Sequence, residues 1–384
     1  MHIFVISDLP QFVTGGAEMQ AYRLATAWIA EGHEVTVAGR RMRPGYLPLE
    51  NGAMLRTLRI RTWSRGGRAL RAVTYALSLG LLLLRHRKRF DIVYARFLNE
   101  GAAVAALLKR WGWLSRPLVA VPANVRGTGD VHALQRLPMS NQVIDLLSRE
   151  CDAINLIAGA MVDELDQAGF DASRYTRIPN GIPLRDATPR VPRHPPTFLT
   201  VGRLAPQKGL DLLIRSLALH RTRLSPGQVR VAGDGPEHPR LASLARELGV
   251  DHAIDWLGEL SPADVQRELE HADVFLLASR YEGMSNAGLE AMERGKPLLI
   301  TRCGGLDEYI GEGNGWVAEP EDVESLATAL SNALDATPEV LMAMGAANRA
   351  MVKDRFEMTL VAKRYLGLFD TLIQRRSGPS DDLG

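Results

Sequence analysis

Cysteine is scarce. Cys151 and Cys303 are the only two and stand far apart, so neither a disulfide framework nor a thiolate metal cluster can be built from them. A reducing compartment suits that composition. MHIFVIS at the N-terminus lacks a basic segment and a small-residue cleavage site, which argues against a secretory signal, and a cytosolic location is expected. Acids are nearly missing from residues 40–89, where thirteen Lys and Arg face Glu50 alone. A block of that sign reads as a surface for phosphate or anionic lipid. Nucleic acid is ranked out as a partner, because zinc-ligand spacing, a repeated aromatic platform and a helix-turn-helix signature are all lacking. The apolar stretch Ala72–Leu84, followed at once by RHRKR, falls short of the about 20 residues that cross a bilayer. It reads equally as a helix lying in the lipid interface or as a buried helix of the first domain.

What is present is the composition of an ordinary globular protein, 46% hydrophobic and 23% charged over 384 residues, a length that favours two domains. The halves differ electrically: residues 1–190 carry 25 Lys and Arg against 16 Asp and Glu, and the remainder 21 against 28. Apolar runs at 2–8, 33–39, 91–95, 117–121 and 153–157 alternate with helical stretches, as do FLTVG, QVRVAG, IDWLG, VFLLAS and PLLIT after residue 197. That alternation predicts an α/β chain of two Rossmann-like, doubly wound domains facing across a cleft. The proline-rich segment 185–197 reads as the linker between residues 1–184 and 198–355. A C-terminal helix over 356–376 is expected to pack back towards the first domain, ahead of a disordered tail at 377–384.

Chemistry concentrates at Asp273–Gly295. A strand ends near Ser279, a loop carries Glu282 and Gly283, and Ser285 or Asn286 can cap a helix running to Gly295. A helix N-terminus preceded by small residues binds anions through backbone N–H groups. Glu290, one turn inside that helix, can accept bonds from two neighbouring ribose hydroxyls, and Glu282 can bind sugar hydroxyls. In TVGRLAPQKGLDLL, Arg203 follows a strand and Lys208 opens the next helix. Two cations beside a helix N-terminus neutralise a diphosphate and the extra charge it gains as a leaving group.

These motifs resemble the retaining, nucleotide-sugar-dependent glycosyltransferases of family 4, which have the two-domain GT-B fold. The resemblance is carried by GGAE at 15–18, PNGI at 179–182, VGRLAPQKGLDLLI at 201–214, AGDGPE at 232–237 and EGMSNAGLEAMERGKPL at 282–298. It implies that Arg203 and Lys208 hold the donor diphosphate, that Glu282 contacts the donor sugar and that Glu290 binds the ribose. Gly15 and Gly16 would approach phosphate and sugar, and Gly283, Met284, Ser285 and Asn286 would complete the donor pocket. It further implies transfer without metal or cofactor, from a UDP- or GDP-sugar substrate, with the acceptor hydroxyl attacking on the face that the leaving group departs from.

Where a histidine often stands in the family, this chain has VPANVRGTGD; Asn124, Arg126 and Asp130 are the expected acceptor-side residues. The activity so implied moves a hexosyl or N-acetylhexosaminyl unit to a lipid-linked or growing glycan acceptor in cell-surface polysaccharide synthesis. The basic first domain would meet an anionic membrane from the cytoplasmic side. An epimerase of the same architecture would turn over donor without an acceptor, and a two-lobed binding protein would need no paired cations and carboxylates. A dinucleotide dehydrogenase is disfavoured because GGAE is not GxGxxG.

Overall fold

The computed structural model describes residues 1–377 apart from 14, 64, 66, 125, 126, 128, 138 and 187–189. Arg126 and the tail from 378 onward thus lie outside the described residues. The chain divides into two compact units, Met1–Pro183 with Met358–Gly384, and Leu184–Glu357.

In the first unit the strands are β1 (His2–Ile6), β2 (Glu34–Gly39), β3 (Gly45–Pro48), β4 (Met54–Arg59), β5 (Ile92–Arg96), β6 (Leu118–Val121), β7 (Ala153–Leu156) and β8 (Tyr175–Arg177). They form one sheet in the order β3-β4-β2-β1-β5-β6-β7-β8, parallel throughout except for the β3/β4 pair. The five apolar runs of the first half lie at β1, β2, β5, β6 and β7, whose residues are almost all buried, as a sheet covered on both faces requires. β1 and β5 are neighbours, yet the chain leaves β1 towards β2 on the other side, so their carboxyl ends form a topological switch point.

An aromatic cluster fastens the end of the chain to this unit. Trp28 meets Tyr94 edge-on with ring centroids 5.4 Å apart, Tyr94 meets Tyr365 at 5.6 Å, and Phe369 lies 5.4 Å from Trp28. Tyr365 and Phe369 belong to the Met358–Ser377 helix. Two of the polar tips are satisfied, Asn155 Nδ2 donating to Tyr365 Oη at 2.8 Å and Trp28 Nε1 to the Ala362 carbonyl at 3.3 Å, whereas the buried Tyr94 hydroxyl has no hydrogen-bond partner among the described residues.

The apolar stretch at 72–84 sits in a longer helix, Gly67–His86. By length and composition alone this helix could cross a membrane. One face, with Tyr75, Leu79 and Leu83, is buried, whereas Leu77 and Leu81 are exposed. The two readings of this stretch therefore describe its two faces.

The second unit holds β9 (Phe198–Val201), β10 (Val229–Ala232), β11 (Ile254–Gly258), β12 (Val274–Leu277), β13 (Leu298–Thr301) and β14 (Gly315–Ala318), ordered β11-β10-β9-β12-β13-β14 and all parallel. Ser261 caps the Pro262–His271 helix by accepting from the Asp264 N–H. Trp256 and Trp316 pack against the core of this unit. The described part of 185–197 is fastened to it as well. Arg185 N donates to Glu293 Oε1 at 2.8 Å, Arg190 Nη1 to the His271 carbonyl at 2.6 Å, and Thr197 N to Asp273 Oδ2 at 2.9 Å. A segment with so many prolines has few N–H groups of its own to offer, and side chains of the unit take up much of its bonding.

Phe369→Ala leaves a cavity among Trp28, Tyr94 and Tyr365 and is expected to cost about 3–5 kcal/mol in the unit that holds it. Urea unfolding followed by tryptophan fluorescence measures the loss, and an unchanged midpoint contradicts the clamp.

Candidate functional site

β9 and β12 are adjacent, but the chain leaves β9 towards β10 and leaves β12 towards β13 on the opposite side. Loops leaving such a pair diverge and open a crevice at the carboxyl ends of the strands. The first loop carries Gly202, exposed Arg203 and a 3₁₀ turn, Pro206–Lys208, that ends on Lys208. The second runs from Ser279 to Ser285.

One backbone bond and one side-chain bond tie the loops together: Arg280 N donates to the Gln207 carbonyl at 2.8 Å and Gln207 Nε2 to the Tyr281 carbonyl at 3.0 Å. Gly209, the next residue after Lys208, has φ of 60°, and a Cβ there would stand 2.0 Å from the Ala278 carbonyl oxygen. Only glycine satisfies both conditions, so the approach of the two loops depends on it.

The outcome is an ion pair between residues 74 apart in sequence. Lys208 Nζ donates to Glu282 Oε1, and Ser279 Oγ donates to the same oxygen at 3.0 Å. Glu282 is 7% exposed, and its own N–H bonds to the Cys303 carbonyl at 2.9 Å. A carboxylate that far from water needs both donors. The sequence offered Lys208 as a cation for a diphosphate; in the folded chain its charge is shared with Glu282. Arg280, the other cation of this loop, is committed to Asp211 through bonds of 2.8 and 2.9 Å and to Glu321 at 2.6 Å.

After Glu282 come Gly283, Met284 and Ser285, all buried, and then the Asn286–Glu293 helix. Ser285 is its cap, accepting from the Gly288 N–H at 3.2 Å. Asn286 and Glu290, half-buried, lie in its first turn and a half. The structure thus brings Lys208 and Glu282 into contact, places 283–285 on the same loop with Asn286 opening the helix, and puts Arg203 on the neighbouring loop. Asp307 was not singled out in the sequence, although GGLDEYI contains it. Its carboxylate accepts from the N–H groups of Gly304 and Gly305 at 2.8 and 2.7 Å, fixing the loop after β13. An Asp two residues after a Gly pair was the available signal.

Gly15, Gly16, Asn124 and Asp130 belong to the first unit. Gly15 is the extended residue that starts the Gly16–Ala30 helix, with φ −172°, beside the β1/β5 switch point. Glu18, within GGAE but given no role from sequence, folds back over this helix end: a Cβ on Gly15 would lie 2.1 Å from Glu18 Oε2. Burial raises its carboxyl above the ordinary range. Arg96, at the carboxyl end of β5 and 2% exposed, donates to Asn180 Oδ1 at 3.3 Å. Asn124 is half-buried. Asp130 faces its own loop and accepts from the Ala123 N–H at 2.6 Å. Among the described residues no group of three or more His, Cys, Asp and Glu could hold a metal ion.

Burial pushes the Asp130 carboxyl up to about 6 from an ordinary 3.8. The folded chain therefore binds this proton more tightly than the unfolded one. The stability it contributes is complete below about pH 4 and is lost as pH rises through about 6. Asp130→Asn is expected to flatten that part of the profile. Urea midpoints across this range test it, and an identical slope in wild type and variant contradicts it.

Residues 14–186 match the family model described as Glycosyltransferase Family 4, and residues 185–351 that described as Glycosyl transferases group 1. Glycogen synthase of Mycobacterium tuberculosis is 29% identical over 390 residues, covering 94% of this chain and 92% of that protein. A Corynebacterium glutamicum enzyme named GDP-mannose-dependent monoacylated alpha-(1-6)-phosphatidylinositol monomannoside mannosyltransferase is 26% identical over 61% of this chain and 66% of its own length. The structure of Anabaena Alr3699/HepE in complex with UDP superposes with a TM-score of 0.74 at 19% identity, covering 96% of this chain and 99% of that one. Two parallel sheets, the motifs at their carboxyl edges and these matches lead to one conclusion: the chain belongs to glycosyltransferase family 4 and has the GT-B fold.

Proposed function

We propose that this glycosyltransferase moves a hexosyl or N-acetylhexosaminyl unit, with retention of anomeric configuration, from a UDP- or GDP-sugar to a lipid-linked or growing glycan acceptor in cell-surface polysaccharide synthesis. The observation that carries the reading is the Lys208–Glu282 pair at the β9/β12 switch point, beside Arg203 and the start of the Asn286–Glu293 helix. A diphosphate placed there meets two guanidinium or ammonium groups and a helix N-terminus, the charge arrangement that stabilises a departing nucleoside diphosphate. Glu282, immobilised by Ser279 and Lys208, presents its remaining lone pairs to sugar hydroxyls. Glu290 takes the ribose, and 283–286 shape the sugar pocket.

No cofactor enters this chemistry, and the cations and helix amides take the place that a metal ion would otherwise fill. The acceptor hydroxyl attacks on the leaving-group face and passes its proton to the departing phosphate oxygen. A donor phosphate has to share Lys208 with Glu282, so binding and the position of the sugar-contacting carboxylate are coupled. The GDP-mannose and phosphatidylinositol mannoside in the corynebacterial relative's name, and the UDP in the Anabaena structure, support a nucleotide-sugar donor and a lipid-linked acceptor. The reading places the enzyme on the cytoplasmic face of an anionic membrane, held peripherally by its basic first unit.

A thermal-shift screen of UDP- and GDP-sugars is expected to find a donor that raises the melting temperature, as any ligand of the folded form does. Glu290→Ala is expected to abolish that shift. Lys208→Ala is expected to lower turnover by about 10²–10³-fold and, by leaving Glu282 short of a donor, to lower the melting temperature as well, so turnover is compared at a temperature where the variant is folded. Unchanged transfer in both variants contradicts the site.

A further inference from the structure

The Gly67–His86 helix leaves one face uncovered. Leu70, Val73, Leu77 and Leu81 follow one another at helical spacing and are all exposed, Leu81 at 68% and Leu77 at 61%. An exposed leucine is ordinary, but a continuous stripe of them along three turns is not. Two exposed tryptophans flank it, Trp63 beside its middle and Trp113 near its C-terminal end. Trp63 is anchored through its backbone N–H to Thr74 Oγ1 at 2.9 Å, next to an Arg61 N–H that donates to Ser78 Oγ at 2.8 Å. At the C-terminal end Arg87 Nη1 donates to the Trp113 carbonyl at 3.0 Å. Leu81, Leu84, Arg85, Arg87 and Trp113 line an open groove of about 760 Å³.

The charge around the stripe has one sign. From Asn51 to Phe90 the sequence contains ten Lys and Arg and no Asp or Glu. Arg68 and Arg71 are exposed at the start of the helix, and Arg85, Arg87, Lys88 and Arg89 at its end. A protein partner could cover the leucines, but one chemistry matches leucines, interfacial indoles and exposed cations together: an anionic bilayer, with acyl chains under the stripe and headgroups at the cations. Crossing the bilayer is excluded by the opposite face, where Tyr75, Leu79 and Leu83 are buried in the first unit and Gly101 of the neighbouring Glu100–Arg110 helix allows Tyr75 to approach.

We propose that this face, flanked by Trp63 and Trp113, is a bilayer-docking surface and that the helix lies in the plane of an anionic membrane. The inference extends the membrane reading above to a defined element and does not depend on the transferase chemistry. Lying in plane, the stripe enters the acyl boundary while the arginines at both ends reach headgroup phosphates.

Flotation with vesicles of phosphatidylcholine, alone or mixed with phosphatidylglycerol, tests it on the full chain. Wild type is expected to float with the mixed vesicles, less so as salt is raised, and not with phosphatidylcholine alone. Leu77→Glu/Leu81→Glu, both exposed positions, is expected to weaken binding by about tenfold or more while keeping the donor-induced thermal shift of wild type. Trp113→Ala is expected to weaken it to a smaller extent. Undiminished binding by the double variant overturns the assignment to this helix but leaves membrane association standing. Absence of wild-type binding to any anionic vesicle overturns both, and leaves donor binding to be judged by its own assay. A wild-type dimer that the double substitution dissociates, without vesicle binding, assigns the face to a second copy and also overturns the proposal.

Discussion

The candidate site depends on keeping one carboxylate nearly out of water. Glu282 is tolerable at the carboxyl edge of β12 because Lys208 and Ser279 both donate to a single oxygen of it. Three requirements lie behind that contact. The 3₁₀ turn must end on Lys208, the chain must then pass over Ala278 in a left-handed conformation, and Thr301 must hold the Ser279 carbonyl from β13. Removing any of these leaves a buried charge short of a partner, which costs more than the pair itself contributes.

That contact is also why the topology matters. In a parallel sheet the loops of one edge ordinarily follow one another to the same side; at β9/β12 they part, opening the crevice at whose edge Lys208 and Glu282 meet. The same reversal occurs at β1/β5 in the first unit, where Gly15, Glu18 and Arg96 gather. Glu18 over the start of the Gly16–Ala30 helix takes the position favoured for an anion, and burial has already raised its carboxyl. Each sheet thus presents charged side chains at its reversal point.

Much of this was legible in the sequence, for identifiable reasons. Strands buried on both faces announce themselves as apolar runs, which is how β1, β2, β5, β6 and β7 were found. β4 was not, because MLRTLR breaks its apolar residues with two arginines and a threonine, and β8 has only three residues. Ser261 and Ser285 were readable caps because capping is a short-range device. The Lys208–Glu282 pair was not readable as a pair, since nothing local connects positions 74 apart. The prolines of 185–197 suggested a free linker, yet their fixed geometry suits a segment whose partners are side chains of the second unit, such as Glu293 and Asp273. The 72–84 stretch was ambiguous because periodicity shows that two faces differ, not what covers each of them.

The most direct test is ³¹P NMR of UDP or GDP added to the protein. The account predicts that the β-phosphorus resonance moves and broadens with wild type and returns to its free position with Lys208→Ala. A perturbation that persists unchanged in the variant, or that fails to appear with wild type for either nucleotide, contradicts the placement of the diphosphate beside Lys208 and Glu282.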